Sequence, residues 1–201
     1  PNTISALSPL CCTVPIVGRC FTPIGAILLL ALAAATADMV ALDVQGIGSF
    51  PITLDAANAP KAVAILQSFA AGSNAVEIHR AEPQPAAGSN GPPYALVQFT
   101  LPKSGLSKHA HEGSAKIRRG SVCLIGGADD IFVSLARNNE HDGWEVSMTI
   151  VGTMSDPALA EFEDKILALP KHDFVHPNYG TKMSMLNEKV PATLKLDDRE
   201  L

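Results

Sequence analysis

The sequence predicts a mainly β domain, a closed or nearly closed barrel capped by two α-helices. Two observations carry this expectation. Short β-rich runs recur between glycine- and proline-rich turns, and the two stretches with helical periodicity lie far apart in the chain. No repeat of roughly 20–50 residues suggests a solenoid or propeller instead.

The elements follow in order. Asp38 to Leu54 alternates loosely and sets Phe50, Ile52 and Leu54 on one face, which reads as a strand pair around Gly46 and Gly48. Pro60 opens a helix, where its missing N–H is harmless. Val63, Leu66 and Ala70 carry the helical spacing, and Gly72 is the expected C-cap. Ala75 to His79 suits a short strand. Glu82 to Pro93 holds four prolines and two glycines and reads as a surface loop. Tyr94 to Leu101 is β-rich, and Pro102 to Lys116 is a second polar loop. Strands are expected at Ser121 to Ile125, Ile131 to Leu135 and Glu145 to Thr153, with Gly126-Gly127 turning the chain. Asp156 is the expected cap of a second helix with Pro157 in its first turn. Its apolar stripe is Leu159, Phe162, Ile166 and Leu169, and Pro170 ends it.

Composition narrows the function classes. The 201 residues are 47% hydrophobic and 17% charged, which excludes a disordered chain. A net charge of −5 gives no sign of the basic face that a nucleic-acid binder needs, so no nucleic-acid partner is expected. Four cysteines are too few for a disulfide scaffold. The apolar excess sits in residues 1–37, whose only charge is Arg19. An apolar run from Ile24 to Ala35 ends in Ala35-Thr36-Ala37, a secretory signal-peptide pattern. The alternatives are an uncleaved single-pass anchor, in which case the membrane becomes a partner, and the leader of an algal plastid protein. The terminal Asp198-Arg199-Glu200-Leu201 is similar to the Lys-Asp-Glu-Leu class of retrieval signals. Together they predict the secretory pathway, either the lumen of the endoplasmic reticulum or the outside.

Most candidate chemistry dissolves on inspection. His109 with His111, and His172 with His176, have metal-ligand spacings, but no carboxylate or cysteine completes a pattern and Pro177 opposes a helix through His176. No metal or other cofactor is expected. No Gly-x-Ser-x-Gly elbow is present. Cys123 lies in the apolar run Val122-Cys123-Leu124-Ile125 and reads as a core residue. Gly126-Gly127 lacks a following Lys-Ser/Thr, and Asp129 and Asp130 would repel phosphate.

His79-Arg80, at the end of a strand, gains weight from its surroundings. Phe50-Pro51-Ile52-Thr53-Leu54-Asp55 and Ala59-Pro60-Lys61-Ala62-Val63 resemble the opening of a cyclophilin domain. Ile78-His79-Arg80-Ala81-Glu82-Pro83 is similar to that family's Phe-His-Arg-x-x-Pro. Arg119-Gly120-Ser121-Val122, Asp130-Ile131-Phe132-Val133, Asp142-Gly143, Val151-Gly152 and Ile166 to Pro170 match later family elements in order. The resemblance spans roughly Ala41 to Pro170. It implies an eight-stranded antiparallel barrel with two capping helices and peptidyl-prolyl cis-trans isomerase activity without a cofactor. It further implies that Arg80 is the catalytic arginine and Phe132 the aromatic floor of a proline pocket. Gln98, Trp144 and His79 follow as substrate-binding residues, and proline-containing polypeptides as partners of a monomer. The domain then runs over 38–172, after a leader at 1–37. A C-terminal arm follows at 173–201, whose Met183, Met185, Leu186, Val190, Leu194 and Leu196 suggest an extra strand packed on the domain.

The chain departs from the family pattern around the pocket. Phe99-Thr100-Leu101 follow Gln98 where the family has Gly-Gly-Asp. Ser147, Met148 or Thr149 stands where a histidine is expected, and Gln84-Pro85-Ala86-Ala87 replaces an aromatic-plus-methionine stretch. Two readings therefore stand: a slow isomerase assisting protein folding in the secretory pathway, and a non-catalytic module that binds proline-containing peptides or a protein partner.

Overall fold

The computed structural model describes residues 38–86, 94–138, 141–177 and 180–197. The leader expected at 1–37 and the retrieval-like end from Asp198 lie outside the described residues, as does the end of the proline-rich loop. The chain is mainly β, with a closed eight-stranded antiparallel barrel and two α-helices.

The hairpin expected at the start is β1 (Met39–Val44) and β2 (Gly48–Leu54). Then come α1 (Pro60–Ala71), β3 (Asn74–Glu82), β4 (Leu96–Thr100), β5 (Ser121–Ile125), β6 (Asp130–Ser134), β7 (Met148–Met154), α2 (Asp156–Leu167), β8 (Lys171–Val175) and β9 (Lys182–Leu196). The ring runs β1-β2-β7-β5-β6-β4-β3-β9 and closes by pairing β9 with β1. The sequence reading set 173–201 beyond the barrel. In the structure β9 is a barrel strand, lying between β3 and β1. Its fifteen residues pair in turn with β8, β3 and β1, which is why its apolar alternation is long. Among the described residues β8 pairs with β9 alone and stands outside the ring.

Closure satisfies the backbone groups of each barrel strand and leaves no free edge in the ring. The inward face is aliphatic and aromatic: Leu42, Ile52, Ile78, Phe99 and Leu124 are all buried. Helix α2 buries its stripe through Leu159, Phe162 and Ile166, and the Phe162 ring meets Phe50 edge-on at 5.0 Å. Arg119 and Arg137 both bond Glu163, pinning α2 to the barrel at 2.5 and 3.2 Å. Two glycines are demanded by close approach. At Gly120 (φ 83°) a Cβ would come within 2.6 Å of the Met154 carbonyl, and at Gly152 within 2.4 Å of that of Thr53.

One helix end differs from expectation: Ser155, not Asp156, is the N-cap of α2. At the C-terminus of α1, Gly72 is the expected C-cap; it keeps right-handed backbone and Ser73 takes the left-handed turn (φ 47°). Asn74 allows this by donating its side-chain amide to the Phe69 carbonyl at 2.6 Å.

At the other end of α1, Ala59 offers no side-chain cap. Glu112 supplies one from a distant loop, accepting from Lys61 N–H at 3.1 Å and Ala62 N–H at 3.0 Å. His109 Nε2 lies 3.1 Å from the same oxygen. The Ala62 N–H, with His109 and Lys61, holds the Glu112 carboxyl below its usual range despite some desolvation. A depressed folded pKa stabilises the protein above the unfolded value, and the gain is lost as pH falls through the folded one. Glu112→Gln is therefore expected to melt lower than wild type at neutral pH. The difference should shrink to nothing in strong acid, as calorimetry across that range would show.

Candidate functional site

The site lies on the outward face of the barrel wall. A β-bulge creates it: Ile78 pairs with Phe99 and Arg80 pairs with Gln98, so β3 carries an extra residue at His79. Ile78 stays in the core while Arg80 is turned outward beside Gln98. Gln98 in turn pairs with Phe132, and Phe132 with Cys123. Directly opposed residues on antiparallel strands share a face. Arg80, Gln98 and Phe132 therefore stand in one row across three strands.

Arg80 is only 8% exposed, and its guanidinium is held on several sides. Nε donates to Glu82 Oε1 at 2.9 Å, Nη1 donates to Gln98 Oε1 at 3.2 Å, and the group lies over the Tyr94 ring at 4.4 Å. Nη2 is buried and, among the described residues, has no hydrogen-bond partner. Glu82 Oε1 also accepts from Ser184 N–H at 2.7 Å, tying β9 to this corner. Gln98 Nε2 donates to Asp130 Oδ2 at 3.0 Å, which fixes the amide so that its oxygen faces Arg80. Thr100 donates to the other Asp130 oxygen at 2.5 Å and lies 3.4 Å from His79 Nδ1. Burial lowers the His79 pKa more than nearby Asp130 raises it, so His79 is neutral at pH 7 and adds no charge beside Arg80.

Phe132 has no exposed surface. It packs with Leu96, Ile117, Cys123 and Ile150 in a small outer cluster separate from the main core. Trp144 meets it edge-on at 5.8 Å, and His141 at 5.5 Å. His141 and Trp144 stack at 4.5 Å, and Tyr94 lies 6.0 Å from Trp144. His141 Nε2 donates to the Tyr94 carbonyl at 2.6 Å, which leaves Nδ1 to accept from the Ser134 hydroxyl at 3.0 Å. Trp144 opens a short 3-10 turn, Trp144–Val146, after Gly143, and is half-buried.

The structure thus brings Arg80, Gln98, Phe132 and Trp144 to one face, with His79 at its edge. Phe132, expected as the floor of an open pocket, is covered by Trp144 and His141. Sequence reasoning missed Glu82, Tyr94, Asp130 and His141. Glu82 was within reach, since two residues on from Arg80 is the same face of a strand. Among the described residues no three His, Cys, Asp or Glu side chains cluster as metal ligands would.

Cys123 backs Phe132 and is fully buried, which pushes its thiol well above the ordinary range. It is expected to resist alkylation in the native protein and to react once the chain unfolds, as peptide mass mapping at Cys123 would show.

No protein-family model and no curated protein matches the chain. Solved structures do. A cyclophilin-type peptidyl-prolyl cis-trans isomerase of Cryptosporidium parvum, crystallised in the presence of the dipeptide Ala-Pro, is similar at 12% identity and TM-score 0.49. The match covers 80% of this chain and 99% of that one. A hypothetical protein of Archaeoglobus fulgidus, solved in solution, is similar at 8% identity and TM-score 0.47, over 83% of this chain and all of that one.

Proposed function

We propose that the chain is a slow peptidyl-prolyl cis-trans isomerase of the cyclophilin type, acting on proline-containing segments at the Arg80–Gln98–Phe132 row. The observation that carries this reading is the state of Arg80. Two of its nitrogens are committed to Glu82 and Gln98, while Nη2 is a buried donor without a partner among the described residues. An X–Pro amide resists rotation by about 18–20 kcal/mol because of C–N resonance. As the bond twists, the prolyl nitrogen pyramidalises and becomes a better acceptor. An N–H donated at that moment binds the twisted state more tightly than either planar one, which is what lowers a barrier. The donor is held in place by its neighbours but is buried against the Tyr94 ring, so that ring must move aside before a prolyl nitrogen reaches it.

The aromatic wall supplies the second requirement, an apolar seat for the proline ring. Trp144 and His141 both lie against Phe132, so the seat opens only when this cover moves, a step expected to slow turnover. The full cover over Phe132 favours a second reading, a non-catalytic module that binds a protein partner through its surface rather than a proline ring at Phe132. A protease-coupled isomerase assay separates the two. The proposal expects a rate above the uncatalysed background that Arg80→Ala removes. Equal rates for wild type, variant and buffer would sink it.

A further inference from the structure

The row of side chains that holds Arg80 does not stop at β3. Arg80 pairs with Met185 on β9, and Met185 pairs with His172 on β8. The next same-face pair along the hairpin is Phe174 with Met183. Met183 and Met185 are half-buried, and Phe174 is 40% exposed. The β8–β9 extension thus carries an apolar surface continuous with the candidate site, on the side of Arg80 away from Phe132.

We infer that Met183, Met185 and Phe174 form a specificity shelf for a large apolar side chain one or two residues before the substrate proline. The inference rests on the proline-site reading of Arg80 and Phe132. With the prolyl nitrogen at Arg80 and the ring toward Phe132, the residue before the proline leaves in the opposite direction. That direction leads over Met185. Neighbouring strands lie about 5 Å apart and an extended residue spans about 3.5 Å, so one or two residues reach the shelf. Methionines suit the task, since flexible thioethers fit large apolar groups of varied shape. Glu82 fixes the shelf to the site, bonding both Arg80 Nε and Ser184 N–H.

The test uses short peptides that differ only in the residue before proline, leucine against serine, with affinity measured by calorimetry on the full chain. Wild type is expected to prefer the leucine peptide about tenfold. Met183→Ser with Met185→Ser should bring that ratio near one. Phe174→Ser, at a more exposed position, should reduce the ratio too and covers the case in which the double variant misfolds. Proline peptides that bind wild type without discrimination, or a ratio that both variants leave intact, overturn the shelf alone. If neither peptide binds, the proline-site reading falls and the shelf falls with it.

Discussion

Arg80→Lys is expected to slow catalysed isomerisation at least tenfold while leaving the barrel folded. Lysine keeps the positive charge that Glu82 needs, so the buried pair survives. It loses the planar fork, and one ammonium cannot hold Glu82 and Gln98 while also presenting a separate donor to the prolyl nitrogen. Tenfold corresponds to about 1.4 kcal/mol of lost transition-state binding, modest for a charged donor in a buried site. Arg80→Ala behaves differently. It strands the Glu82 carboxylate, whose side chain is only 10% exposed, and is expected to lower stability by about 3–5 kcal/mol as well as ending catalysis. Chemical denaturation beside the rate assay distinguishes the two variants. Full wild-type activity in the Arg80→Lys variant would show that the fork plays no part.

Phe162→Ala is expected to cost about 3–5 kcal/mol of folding stability. Phe162 is fully buried in α2, where its ring meets Phe50 of β2 edge-on. No neighbour is free to fill the gap, because α2 is pinned by Arg119 and Arg137 through Glu163 and by Lys165, which donates to the Ile47 carbonyl at 2.7 Å. The loss should appear as a shifted denaturation midpoint with an unchanged slope. A shift under about 1 kcal/mol would mean that α2 rests on the barrel without filling its end.

The strands were legible where side chains alternate and glycines punctuate them, as in the β1–β2 hairpin and in β5 and β6, and α2 was legible from its apolar stripe. The role of β9 was not legible. Its barrel pairings are separated by an irregular stretch, with Ile78 opposite Val190 but Arg80 opposite Met185. A pattern that skips residues does not read as one strand. The individual site residues were legible only through ordered motifs, because an arginine after a histidine says nothing by itself. What surrounds them was hidden for physical reasons. Tyr94 reaches Arg80 from the far side of a proline-rich loop, with Ala95 in left-handed backbone (φ 34°) turning the chain into β4. Asp130 read as a phosphate repellent, yet in three dimensions it anchors Gln98. The cover over Phe132 depends on a 3-10 turn that composition does not announce.

A proline-containing segment that seats itself at Phe132 beside Arg80 must disturb the indole above it. Trp144 is the single tryptophan of the chain and lies 5.8 Å from Phe132, so its fluorescence reports on that seat. The decisive measurement is a titration of the full chain with an alanyl-proline peptide and with its alanyl-alanine counterpart. A saturable change in Trp144 emission with the proline peptide, absent with the alanine one, is the predicted result. Identical traces for both peptides, or no change with either, would contradict it.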